Sequence, residues 1–234
     1  MGSALRSSDD TLTEAAAPAL WLASRSPRRA ALLSEAGFGF TAFDPPYDDP
    51  ADPNRVNAAP TGPERARWLA ERKAASVPPG DLPAGAVLLT ADTLVVAPGG
   101  ALLGTPESEA QARQTLEQLR GATHTIATGV CLRRGNDHSV SFLATARVTF
   151  GALSDALLEA YVAGGGWRGK AGGYNLSERQ RDGWSVTVEG DPAAVMGLPV
   201  AALAPRLAAL GIYCLLYTSP SPRDQRGSRM PSSA

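Results

Sequence analysis

Three stretches of this sequence carry side chains whose types and spacing suit chemistry on a polyanion. The first is Ser24-Arg25-Ser26-Pro27-Arg28-Arg29. It follows an apolar run, 19–23, long enough for a buried strand. It precedes a helical pattern in which Leu32, Leu33 and Ala36 share a face and Gly37 closes the helix. Ser26 suits the N-cap and Pro27 the first helical position. The turn thus gathers hydroxyls, guanidinium groups, backbone N–H groups and the positive end of a helix dipole, a receptor for phosphates. The competing reading is a solvated pair of arginines; their placement at a strand-to-helix turn favours the anion site.

The second is Asp92. It interrupts 86–96, the most apolar strand of the chain, whose near-continuous pattern marks a central strand of an α/β sheet covered on both faces. A buried carboxylate is costly unless it meets a metal, a cation or hydrogen-bond donors, so Asp92 is a candidate acid/base or metal-binding group. The third is the glycine-rich passage 164–174, with Arg168 and Lys170 among its glycines. It nearly matches G-x-x-x-x-G-K-[ST], but position 171 is Ala and the passage follows a helix rather than a strand. A P-loop NTPase is therefore rejected, while close backbone approach and two cations still suit phosphate.

The elements that position these groups read as follows. A strand spans 38–43, then a proline- and aspartate-rich acidic loop spans 44–53. A helix containing Trp68, Leu69 and Lys73 follows Pro63, and a loop covers 81–85. Pro98-Gly99-Gly100 makes a hairpin turn, and 107–120 a helix. Strands over 123–132 and 139–150 form a second hairpin, and Ser154 caps a helix to Val162. A strand over 184–189, a turn at Asp191-Pro192 and a last helix over 200–210 complete the domain. His124 and His138 are too isolated for a metal pair and read as surface or strand-end histidines.

The chain of 234 residues suits one large or two small domains. A net charge of −1 argues against general nucleic-acid binding. Two cysteines without metal or disulfide spacing fit a reducing, cytoplasmic setting. No apolar run is long enough to span a membrane. Residues 1–17 read as a disordered lead-in, and 213–234 as a disordered tail resembling translated adaptor or vector sequence. The residues alone point to metal-assisted hydrolysis of a phosphate ester or anhydride.

The motif set is more specific. Leu22-Ala23-Ser24-Arg25-Ser26-Pro27-Arg28-Arg29, Ala91-Asp92-Thr93, Thr128-Gly129-Val130 with His124, Gly169-Lys170-Ala171-Gly172-Gly173-Tyr174 and Gly197-Leu198-Pro199 resemble the Maf family in order and spacing, over roughly 19–211. The resemblance implies a catalytic domain over 18–212 with an α/β fold. That fold is an elongated mixed β-sheet flanked by helices, two lobes about a central cleft, as in inosine triphosphate pyrophosphatases. It implies hydrolysis of a nucleoside triphosphate to monophosphate and pyrophosphate, as house-cleaning of modified nucleotides, with a magnesium or manganese ion and a possible homodimer.

Residue by residue, the resemblance makes Asp92 the general base and Asp92 with Asp49 the metal ligands. It makes Ser24, Arg28, Arg29, Lys73, Thr93, Lys170 and Ser177 substrate-binding, with Arg28 and Thr93 tied to base selection. Two positions depart from the family pattern. Thr105 stands where the family has Lys, and Asn175-Leu176-Ser177-Glu178 stands where it has Gly-Ile-Gln-Gly. The first removes a cation and the second replaces an amide by a hydroxyl. One lost charge contact costs about 1.5–3 kcal/mol, roughly one to two decades in rate. The alternative is a catalytically weakened nucleotide-binding regulator linked to cell division.

Overall fold

The apolar run around Asp92 organises the molecule. The computed structural model describes residues 19–47, 60–136 and 138–214. The expected lead-in, 1–17, and the tail from residue 215 lie outside them. The chain begins with β1 (Leu20–Ala23), α1 (Pro27–Glu35), β2 (Thr41–Phe43) and α2 (Glu64–Ser76). A 3-10 turn (Pro79–Asp81), β3 (Val87–Val96), β4 (Leu102–Leu103), α3 (Glu109–Leu119), β5 (Thr123–Arg134) and β6 (His138–Phe150) follow. The remainder is α4 (Asp155–Ala163), a 3-10 turn (Ala171–Gly173), α5 (Leu176–Arg181), β7 (Val186–Gly190), α6 (Pro192–Val195) and α7 (Val200–Ala209).

One mixed sheet runs in the order β2-β1-β3-β5-β6-β7, with β4 beside the end of β3. β1 pairs in parallel with β2 and β3, whereas β3, β5, β6 and β7 pair antiparallel. β3 is buried at all positions but Thr93, as its unbroken apolar pattern requires. On one face α2 packs Ala66, Leu69, Ala70 and Ala74 against Leu88, Leu94 and Ala127. On the other, α1 and α7 bring Leu33, Leu203 and Leu207 onto Leu22 and Leu89. A separate core surrounds Leu116, Phe150, Tyr161 and Trp184. Its aromatic rings meet edge to face, Phe150 lying 4.8 Å from Tyr174 and 5.9 Å from Trp184.

Local differences from the sequence reading have local causes. The strand expected from residue 38 begins at Thr41. Gly37 (φ 76°) closes α1 with its N–H on the Ser34 carbonyl, and the N–H of Phe38 reaches the Leu33 carbonyl at 3.0 Å. Phe38 is thereby spent on the helix cap and buried against α1. Asp191-Pro192, read as a turn, starts a short helix because Asp191 accepts the Ala193 N–H at 2.8 Å. α5 was not anticipated. No helix among the described residues is long and apolar enough to cross a membrane.

Candidate active site

Helix α2 is fixed to the sheet at three points, and these aim Lys73. Gly129 lies opposite Asp92 in the β3–β5 register. A Cβ there would stand 2.2 Å from the backbone nitrogen of Arg67, so α2 rests directly on β5. Thr90 donates its hydroxyl to the Ala70 carbonyl at 2.7 Å. Arg133 donates to the carbonyls of Ala74 and Val77, at 2.6 Å each, and closes the helix C-terminus. Lys73 then meets Asp92, Nζ to Oδ1 2.7 Å, with side chains only 8% and 10% exposed. The buried carboxylate that needed a partner has a cation. The Lys73 ammonium also lies 5.6 Å above the Tyr47 ring.

The sheet opens beside this pair. β1 pairs with β3 only from Leu20–Val87 to Leu22–Leu89, and β4 takes up the same edge only from Val95. Between them the β3 edge lacks a neighbouring strand among the described residues. α1 starts at that gap, beyond the carboxyl end of β1, where the chain passes to β2 on one side and β3 on the other. Such a switch point is where open α/β sheets bind ligands. The cleft has two connected chambers. One, about 210 Å³, holds Asp92 and Thr93 and is walled by Val95, Ile126, Val195 and Met196. The other, about 380 Å³, is lined by Arg25, Arg168 and Lys170 with the Tyr47 ring. Arg28, Arg29 and Lys73 line both.

Arg29 is held firmly. Its Nε donates to the Gly197 carbonyl at 2.9 Å, Nη1 to Ser24 Oγ at 3.2 Å and Nη2 to Thr93 Oγ1 at 3.2 Å. Ser24 also accepts the Ser26 N–H at 3.2 Å. The Ser26 hydroxyl does not cap α1, contrary to expectation. Arg28 is exposed and has no hydrogen-bond or ion-pair partner among the described residues. Lys170 is tied to the Glu178 carboxylate. Ser177 lies behind the wall: its hydroxyl donates to the Met196 sulfur at 3.1 Å, and it is Met196 that lines the cleft. Thr105 lines the smaller chamber. Asp49 lies outside the described residues.

Among the described residues no three His, Cys, Asp or Glu side chains cluster as a metal site. A magnesium-class ion takes one or two carboxylates and completes its shell with water and substrate phosphates. Asp92 is the one carboxylate among the described lining residues of the two chambers, which fits that donor need in part.

One reading needs correcting. His124 does stand at the start of β5, but it is not superficial: it is 1% exposed, with Nε2 2.7 Å from the Tyr174 hydroxyl and Nδ1 without a hydrogen-bond partner among the described residues. Desolvation lowers its pKa to about 4 and pushes Tyr174 well above the usual phenol range. His138 is exposed, as expected. The sequence reading did not identify the apolar wall, Tyr174, Asn175 or the buried Thr128 as parts of the site. Alternation along β5 puts His124, Ile126 and Thr128 on one face, and that was the available signal.

Residues 19–210 match the family model described as Maf-like protein. A relative from Salinibacter ruber, named dTTP/UTP pyrophosphatase, is 41% identical over 77% of this chain and 85% of its own length. Relatives of the same name from Maricaulis maris and Caulobacter vibrioides are 38% and 40% identical, over 83% and 80% of this chain and 89% and 92% of their own. A solved nucleoside-triphosphatase / dITP/XTP pyrophosphatase from Mycobacterium abscessus aligns over 82% of this chain and 96% of its own, at 13% identity and a TM-score of 0.36, an overlap too loose to bear on fold or function. The match over nearly the whole described chain, joined to the motif set gathered in the cleft, makes this chain a member of the Maf family.

Proposed function

We propose that the chain hydrolyses a nucleoside triphosphate of the thymidine or uridine type to the monophosphate and pyrophosphate. The observation that carries this is a buried carboxylate in the smaller, partly apolar chamber, paired with Lys73, which lines both that chamber and the cation-lined one. The cation-lined chamber suits the phosphates. The smaller chamber, with Met196 and Val195, suits sugar and base. The relatives named dTTP/UTP pyrophosphatase support that choice of base.

Arg28, Arg29 and Lys170 bind phosphate oxygens and offset the charge that grows on the leaving pyrophosphate. Asp92, oriented by Lys73, accepts the proton of the water that attacks the α-phosphorus. A magnesium or manganese ion, held by Asp92 and the phosphates, supplies further charge neutralisation when bound. Asp49 is the candidate second carboxylate. Removal of modified nucleotides in the cytoplasm is the role such an activity would serve.

The test is pyrophosphate release from a panel of nucleoside triphosphates with magnesium, for the wild type and Asp92→Asn. Loss of the base should lower kcat by about 10²–10⁴-fold with the fold retained. Full activity in that variant ends the assignment. A regulator that binds without turnover is the second reading, favoured by Thr105, which lines the chamber without charge. Nucleotide binding by the wild type with no product would support it.

A further inference from the structure

Thr128 of β5 faces Thr93 of β3 across the sheet and is completely buried. Its hydroxyl donates to the Ala194 carbonyl at 2.8 Å. A hydroxyl has one proton. With that of Thr128 committed to a carbonyl, the 2.9 Å contact between the two threonines has one direction, and Thr93 donates. A guanidinium has only donors, so Arg29 Nη2 donates to Thr93 as well. Protons therefore run in one order, from Arg29 to Thr93 to Thr128 to the Ala194 carbonyl. Thr93, in the wall of the smaller chamber, has no proton left to give and can only accept.

We propose that Thr128 sets base selectivity by positioning the Thr93 hydroxyl: it takes the Thr93 proton, and the chamber then selects a base that presents an N–H. The imide edge of uracil or thymine presents one. Cytosine presents a bare ring nitrogen at the same place, and acceptor would face acceptor. A phosphate oxygen at Thr93 would meet the same mismatch, while the neighbouring Met196, Val195 and Ile126 suit a flat ring. The proposal rests on the reading of this cleft as a nucleoside triphosphate site. It adds a residue that does not touch the ligand.

The experiment measures dissociation constants of α,β-methylene UTP and CTP for the wild type, Thr128→Val and Thr128→Ser, with melting curves and UTP hydrolysis in parallel. The wild type should prefer the UTP analogue by about 100-fold, because a mismatched buried acceptor leaves polar groups unpaired. Thr128→Val keeps the shape but frees the Thr93 proton, and should cut that preference by about tenfold, largely through better CTP binding. Thr128→Ser should restore it. The α,β-methylene form of 3-methyl-UTP, which lacks the N–H, should bind the wild type as poorly as CTP.

Equal weakening of both analogues in Thr128→Val, or no preference in the wild type, overturns the proposal. Should Thr128→Val fail to fold, 3-methyl-UTP decides it, and binding as tight as UTP overturns it. A wild type that discriminates without hydrolysing UTP overturns the catalytic reading and supports this one. A wild type that binds no triphosphate overturns both.

Discussion

The two proposed phosphate receptors of the cleft are built in opposite ways. At the turn after β1, Arg29 donates to three neutral groups that fix its orientation: the Gly197 carbonyl, Ser24 and Thr93. None of these three is an anion. In the glycine passage, Lys170 is held by a carboxylate, Glu178, and phosphate must compete for it. One receptor is set in advance and the other is released by its ligand. Preorganised charge acts without reorganisation at the moment of reaction, and an engaged charge lowers apparent affinity by the fraction engaged.

Anchoring differs in the same sense, and acid should separate the two. The glycine passage ends at Tyr174, tied to His124, whereas the Gly197 carbonyl, Ser24 and Thr93, which orient Arg29, do not titrate between pH 4 and 7. Folded His124 binds a proton only near pH 4, against 6.5 when unfolded. Between those values the unfolded chain holds the extra proton. Stability therefore falls as pH drops from 6.5 towards 4, by about 3 kcal/mol in all, and the loss is complete below that range. Urea unfolding from pH 7 to 4 should show a flatter slope in His124→Gln. An unchanged slope would place the acid sensitivity elsewhere and remove this part of the contrast.

Arg29→Lys comes next in size. A lysine keeps the charge but loses the fork that reaches three anchors, so kcat/KM for the triphosphate should fall by about 100-fold. A fall of less than threefold would mean that the anchoring of Arg29 contributes little, and the turn would be no better prepared than the glycine passage.

Much of this arrangement was readable from the chain. The turn at Ser24–Arg29, the covered strand and its lone acid declared themselves because each breaks a local rule: arginine in a first helical turn, a carboxylate in an apolar run. What resisted were features set by distant partners. His124 sits in a strand whose pattern does not tell an outer end from a buried aromatic cluster. Thr128 and Thr93 are unremarkable threonines until the register pairs them. Ser177 falls behind Met196, which α6 brings in from nineteen residues away. α5 could have been found: Asn175 followed by Glu178 is a capping signature, and Asn175 Oδ1 does accept the Glu178 N–H at 3.1 Å.

The smallest effect is the most direct comparison of the two receptors, since it should run the other way. Glu178 stands in the first turn of α5, its carboxylate 36% exposed and the Lys170 side chain 15% exposed. Glu178→Gln keeps the backbone cap from Asn175, and Arg179 retains Asp182 at 2.8 Å, so little else is disturbed. With Lys170 released, KM should fall by about threefold and inhibition by inorganic pyrophosphate should tighten to match. Lys170→Met should instead raise KM by about tenfold, through loss of a charge-assisted contact, and the double variant should behave like Lys170→Met alone. If Glu178→Gln raised KM as Lys170→Met does, the carboxylate would be steering the lysine towards phosphate rather than withholding it. Both receptors would then be set in advance, and the distinction between them would vanish.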